Sequence, residues 1–387
     1  SAYVAGNELV DLDRECEPTN KHSFTLCTQE VSMTIIFWRK FRNFSDKSGN
    51  TSLWLALLAG GLFIFLTARN AGMYPAVFAD EWFYNLFSRL YNMEFSQRPS
   101  YLYFWLYGIT NICGDGFLEC TRLINALFFV ASVPFIYSIA RKYLSKRYAL
   151  WVTALSVFSP INSYSAYFMP ESMYFFGFTL LTWIIVKGLD NKPWLMVVLA
   201  GATPACMSMV KVHAVFLFVG LWVALFSSWL SERSLKIMKR ATMFALVSFL
   251  VFLIVRFVLG YLIVGKAGLS ILGQDYAATA SSASGIGRVL NLLPLVGYNL
   301  WGNFLAVAVI FGLPLALLLD IPLNKSSVHS SKQRDLRVLK LYLASLLFSL
   351  LLITAIFFAS VQGTGPYESI SRLSLRYYDF LFPLLLI

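Results

Sequence analysis

Apolar stretches recur along most of the chain, separated by short polar segments that hold most of the lysines and arginines. A helix of about 20 apolar residues crosses a hydrocarbon core of about 30 Å. The pattern predicts spans at 53–68, 117–140, 148–161, 168–186, 194–210, 214–230, 241–264, 293–319, 339–360, and a last one opening at 376. The third is short for a full crossing, and Pro160 ends it in a bend before the next helix. The expected fold is all-α: a polytopic transmembrane helix bundle of about ten or more spans. Residues 1–32 are polar and lack the apolar core of a signal peptide, so 1–52 are expected to form a cytoplasmic tail and juxtamembrane segment. Residues 53–387 form the transmembrane domain, expected to be truncated at its C-terminal end because the chain stops inside the apolar run RYYDFLFPLLLI.

The basic residues orient these spans. Arg39, Lys40, Arg42 and Lys47 precede the first; Arg141, Lys142, Lys146 and Arg147 follow the second; Lys187 and Lys192 follow the fourth. Arg233, Lys236, Lys239 and Arg240 follow the sixth, and Lys325, Lys332, Arg334, Arg337 and Lys340 the eighth. Every second loop is basic, as the positive-inside rule requires of the cytoplasmic side, and the amino terminus is then inside. The outward loops are 69–116, 160–167, 211–213, 265–292 and 361–375. In the first, RPSYLYFWLYGITNIC predicts an amphipathic helix lying in the membrane interface.

Composition agrees with this picture. The 387 residues are 58% hydrophobic and 13% charged, with a mean hydropathy of +0.66, where soluble domains carry about 25% charged residues. The net charge of +11 is explained by topology rather than by one basic face, so nucleic acid is not expected as a partner. The five cysteines form no C-x-x-C pair; Cys113 and Cys120, both in or beside the first outer loop, are either a disulfide or two buried thiols.

Ionisable residues near the outer surface are the candidates for chemistry. Asp80 and Glu81 are adjacent in FADEWFY, so on a helix their side chains diverge by about 100° and do different jobs; the bland reading is a solvated interfacial pair. Glu171 follows Pro170 and opens a helix, where the macrodipole alone is a sufficient structural reason for it. Lys211 and His213 occupy a tight outer turn in MVKVHAVFLF: Lys211 either snorkels to the interface or, with His213, holds a lipid-borne phosphate. Arg372 and Arg376 enter the last span from outside in SRLSLRYYDFLFPLL, with Asp379 read as the salt-bridge partner of Arg376 in preference to a catalytic role. SGIG at 284–287 lacks the downstream acid of a dinucleotide site and is read as a flexible loop; no G-x-S-x-G, H-E-x-x-H or P-loop motif occurs.

Taken in order and sidedness, FADEWFY, the Pro170–Glu171 helix opening, MVKVHAVFLF and LRYYDFLFPLL resemble the GT-C fold membrane glycosyltransferases, particularly the branch of aminoarabinose transferases and protein O-mannosyltransferases. The resemblance covers most of residues 50–387, making this a glycosyltransferase domain. It implies an inverting transfer from a polyprenyl-phosphate sugar to an acceptor hydroxyl on a glycan, lipid or protein, at the extracytoplasmic face of a multi-pass protein in a bacterial plasma membrane rather than the ER. Asp80 would be the base; Glu81 would orient it or bind the acceptor, with Glu171 nearby; Lys211, His213 and Arg376 would clamp the donor phosphate. Some relatives bind a divalent cation (Mg, Mn or Ca) near these acids, which is left open here. The chain departs from the family in KVH, where Lys-Gly or Lys-Pro is expected, and in Glu171, where many relatives carry Asp. Two other readings stand beside this one: a polyprenyl-lipid transporter or flippase, and a non-catalytic subunit of a glycan assembly complex.

Overall fold

The computed structural model describes residues 3–5, 8–10, 50–73, 79–188, 193–232, 234–273, 286–319, 331–361 and 375–387. The SGIG stretch lies partly outside these residues, and Arg372 and most of the N-terminal tail lie wholly outside them. The chain divides into two compact units, Ser1–Leu57 and Leu58–Ile387. In the first, strands β1 (Tyr3–Ala5) and β2 (Glu8–Val10) pair antiparallel with Tyr3 opposite Val10.

The second unit is a helix bundle. Helix α1 spans Asn50–Asn70. It is followed by two short helices, α2 (Ala79–Arg89) and α3 (Tyr101–Tyr107), then α4 (Phe117–Ala131), α5 (Val133–Tyr143) and α6 (Lys146–Val157). A 3-10 turn at Pro160–Ala166 leads into α7 (Glu171–Trp183), then α8 (Pro193–Ser208), α9 (Leu217–Glu232), α10 (Leu235–Val264), α11 (Ile286–Leu319) and α12 (Ser331–Val361). The chain ends in short 3-10 turns and the four-residue α13 (Phe382–Leu385). The bend at Pro160 and the helix opening at Glu171 fall where the sequence pattern placed them, and α10 stops at Gly265, whose φ of 65° breaks the helix at little steric cost.

Five helical runs among the described residues are long and apolar enough to cross a bilayer alone: Thr51–Asn70, Tyr101–Tyr143, Leu235–Leu269, Leu290–Leu318 and Gln333–Ser360. The all-α class holds, and the described residues do not establish a count of ten. Helices α6, α7, α8 and α9 have 12, 13, 16 and 16 residues, fewer than the ~20 that a full crossing needs. Leu57, Ile64, Leu246, Leu262, Val309 and Leu313 present exposed apolar side chains, as expected of a surface solvated by lipid.

Helices approach closely where glycine removes the side chain. A β-carbon at Gly201 of α8 would collide with the Ser248 carbonyl of α10; at Gly220 of α9 it would meet Leu346 and Tyr342 of α12. Arg256, inside α10 and fully buried, donates to the carbonyls of Gly268 (2.7 Å) and Ser270 (2.6 Å). It therefore pins the turn that follows its own helix, a structural role for a cation inside a predicted span.

The segment expected to form the first outer loop folds as two packed helices, α2 and α3. Rings of α2 meet those of α3, Tyr84 with Tyr103 at 5.1 Å and Phe83 with Phe104 at 6.1 Å. Tyr101, Tyr103, Phe104 and Tyr107 of α3 are buried while Trp105 is 58% exposed, so this helix has the two-faced character read from RPSYLYFWLYGITNIC. Cys113 and Cys120 are joined as a disulfide, with their Cα atoms 6.6 Å apart.

Candidate active site

Asp80 and Glu81 occupy the first turn of α2, where the unpaired N–H groups of the helix favour negative charge. The pair diverges. Glu81 turns inward, is 4% exposed, and accepts a hydrogen bond from the Phe168 N–H (2.9 Å). Burial pushes its carboxyl above the ordinary range, opposed by that hydrogen bond and by the charge of Arg122. Arg122 in turn binds Glu119 and the carbonyls of Ala166 and Met73, tying α4 to the chain that follows α1 and to the turn before α7. Arg69 and Asn70 bind Asn162 and Ser165 from the end of α1. These bonds hold together the chain segments on which the site is built.

Asp80 faces the other way. Its Oδ2 accepts from Arg376 (2.7 Å) and its Oδ1 from Arg98 (2.9 Å). Burial alone would raise its pKa, but the charges and hydrogen bonds of Arg376 and Arg98 outweigh burial and bring it from 3.8 down to about 2. Arg98 lies over the Phe83 ring of α2 at 4.5 Å. Sequence reading missed Arg98. Its signal was a cation in the same inter-span segment as Asp80, just before Pro99 and an aromatic helix, but a separation of 18 residues does not specify a contact.

The second half of the cluster comes from the start of α7 and the segment that follows α8. Glu171 is the first residue of α7, and Lys211, in extended backbone beyond α8, donates to its Oε1 at 2.7 Å. Both are largely buried, at 5% and 11% side-chain exposure. The Leu102 N–H donates to the Met209 carbonyl (3.0 Å), which docks α3 onto the turn that carries Lys211. Tyr377 bridges the two halves: the Arg376 guanidinium lies 5.4 Å and the Lys211 ammonium 5.8 Å from its ring centre. The His213 ring sits 5.3 Å from both Tyr377 and Tyr174. Glu171 and Asp80 both act electrostatically on Arg376, so the pairs belong to one cluster.

Asp80, Glu171, Lys211, His213 and Arg376, drawn from positions as far as 296 residues apart, therefore gather at one end of the bundle, while the Glu81 carboxylate binds the Phe168 N–H and lies in the field of Arg122. One reading needs correction. Arg376 pairs with Asp80, and no ion pair between Arg376 and Asp379 occurs among the described residues; the chain there is two short 3-10 turns rather than a helix, and Asp379 lies instead in the field of Lys211 and Glu171.

Among the described residues no three His, Cys, Asp or Glu side chains converge, both oxygens of Asp80 are taken by guanidinium groups, and Glu171 is held by an ammonium. What the cluster offers is three cations and two carboxylates, a setting that would exchange its internal ion pairs for a phosphate and leave a carboxylate free to take a proton. The oxygens Oε2 of Glu81 and Oε2 of Glu171 and the hydroxyls of Ser172 and Tyr174 are buried and make no hydrogen bond among the described residues.

A helical membrane protein with a charged cluster at one end of its bundle is a broad class, and comparison with known families narrows it. Residues 97–260 match the dolichyl-phosphate-mannose-protein mannosyltransferase family. The match supports a GT-C membrane glycosyltransferase and bears out the resemblance read from the motifs. It takes in Arg98, Glu171, Lys211 and His213 and leaves Asp80 and Arg376 outside. That family implies a glycosyltransferase supplied by a polyprenyl-phosphate sugar, acting on a hydroxyl acceptor. No curated protein and no solved structure matches the chain.

Proposed function

We propose that the protein is an inverting glycosyltransferase that moves a sugar from a polyprenyl-phosphate donor to an acceptor hydroxyl at the extracytoplasmic face of the membrane. The observation that carries this reading is the convergence of Asp80 with Arg98 and Arg376, next to the Lys211–Glu171 pair. In the reaction, Asp80 takes the acceptor proton, the freed oxygen attacks the anomeric carbon, and the bond from that carbon to the phosphate oxygen breaks with its electron pair staying on the phosphate. Arg376 and Lys211 hold the charge that grows there, beside His213. Phosphate is a good leaving group, so one carboxylate base suffices.

With a pKa of about 2, Asp80 is too weak a base to act near neutral pH at full strength. An arriving phosphate competes for Arg376 and draws it off the carboxylate, so the base strengthens when the donor is in place. Unproductive deprotonation in the absence of donor is thereby suppressed. The alternation of basic loops and the Cys113–Cys120 disulfide support placing this end outside the cytoplasm, since disulfides persist in oxidising compartments. The transporter reading is weakened by Arg256, whose bonds to Gly268 and Ser270 make it a fixed structural strut rather than a midplane binding group.

The test is to incubate the purified protein with a panel of polyprenyl-phosphate sugars and hydroxyl acceptors, following by mass spectrometry which donor loses its sugar. One donor should be consumed by wild type and spared by Asp80→Asn. A full panel left intact by well-folded wild type would overturn the reading.

A further inference from the structure

At the opposite end of the bundle a cavity of about 260 Å³ opens among α5, the turn after α7, α9, α10 and α12. Its lining contains three cations, Lys142, Arg240 and Arg334, against one carboxylate, Asp335. Lys142 is shared between Asp335 (3.1 Å) and the Val186 carbonyl (2.7 Å), which fixes one wall. The Arg240 guanidinium lies 5.1 Å from the centre of the Phe244 ring, also part of the lining. Lys187 adds to the field: it borders the cavity wall at Val186 and feels the charges of Lys142 and Arg141. Positive charge is thus concentrated around a concavity whose remaining wall, Phe244 and Ala241 among it, is apolar.

Cations that line one concavity repel one another, as Lys142 and Arg141 do Lys187. A bound anion with several acceptor oxygens relieves the repulsion and accepts hydrogen bonds from more than one of them. We propose that this cavity is a binding site for a phosphate-bearing anion, separate from the candidate active site and at the other end of the helices. Two sources supply that chemistry: the headgroup of an anionic phospholipid, whose chains would continue along the exposed apolar helix surface, and free phosphate. Basic pockets between transmembrane helices suit lipid headgroups, at about 1 kcal/mol for each Lys or Arg engaged.

The full chain, reconstituted in phosphatidylcholine nanodiscs, would be titrated with fluorescent phosphatidylglycerol, with inorganic phosphate as competitor. Saturable binding is expected, weakened about tenfold or more in Arg240→Gln/Arg334→Gln. Both side chains are exposed, so folding should survive. Ala241→Phe fills the cavity without changing charge and should weaken binding as well. Lys211→Gln, at the far end, should leave it unchanged, which separates this site from the donor-phosphate cluster. Displacement by inorganic phosphate would assign the site to the free ion, and resistance to it would assign the site to the lipid headgroup. Wild-type affinity in both cavity variants, or a loss of binding that follows only Lys211→Gln, would overturn the proposal.

Discussion

Replacing Asp80 with Asn keeps the shape of the side chain while removing the charge that Arg98 and Arg376 grip, so it probes catalysis and the ion pairs together. On the catalytic side, loss of a general base lowers turnover by about 100-fold or more. On the stability side, the fall of Asp80 from 3.8 to about 2 corresponds to about 2 kcal/mol, because each pKa unit represents about 1.36 kcal/mol. The folded-state pKa is depressed, so this contribution is present at neutral pH and is lost as the pH falls from about 4 to about 2. Asp80→Asn should then unfold only a few degrees below wild type at pH 7 in detergent. Because the variant has no carboxyl there to protonate, the gap should narrow as both are acidified through that window. The assay pairs donor turnover with thermal unfolding at several pH values. Turnover within about threefold of wild type would refute the base assignment; an unfolding gap that stays constant down to about pH 2 would refute the account of the ion pairs.

Lys211→Gln removes the ammonium that Glu171 binds at 2.7 Å and should raise the donor Kd about tenfold or more while changing acceptor affinity little, as measured by separate titrations; unchanged donor affinity would count against the phosphate clamp. Cys113→Ser/Cys120→Ser opens a loop with a sequence separation of 7 and should cost about 2–3 kcal/mol on the chain-entropy account, seen as a lower Tm; in wild type, thiol labelling at these positions should require reductant. Gly201→Val forces a side chain into the α8–α10 contact at Ser248 and should destabilise by about 1–3 kcal/mol or more, whereas Gly61→Ala in α1, where an added β-carbon meets nothing, should be close to neutral.

Much was legible along the chain because hydropathy acts over contiguous residues. Runs long enough to span, the bend at Pro160 and the opening of α7 at Glu171 need only local sequence, and polar residues that interrupt apolar runs stand out as candidate chemistry. The divergence of Asp80 and Glu81 also follows from helix geometry alone. The pairing of charges does not. Arg376 looked like a partner for Asp379, three residues on, but tertiary structure gives it Asp80, 296 residues away, because the last segment forms short 3-10 turns and packs Phe380 on Tyr174 and Phe178 of α7 instead of continuing as a helix. Arg98 became part of the cluster only when α2 and α3 stacked their rings. The sequence left Cys113 and Cys120 with two readings, and folding chose the disulfide. The close helix contacts at Gly201 and Gly220 were likewise invisible, since one glycine in an apolar run shows no partner. The pattern of side chains along the chain determined that this is a helical membrane protein with ionisable groups at helix ends; only packing decided which of those groups meet, because Coulomb and hydrogen-bond energies depend on distances of a few ångströms that linear order does not set.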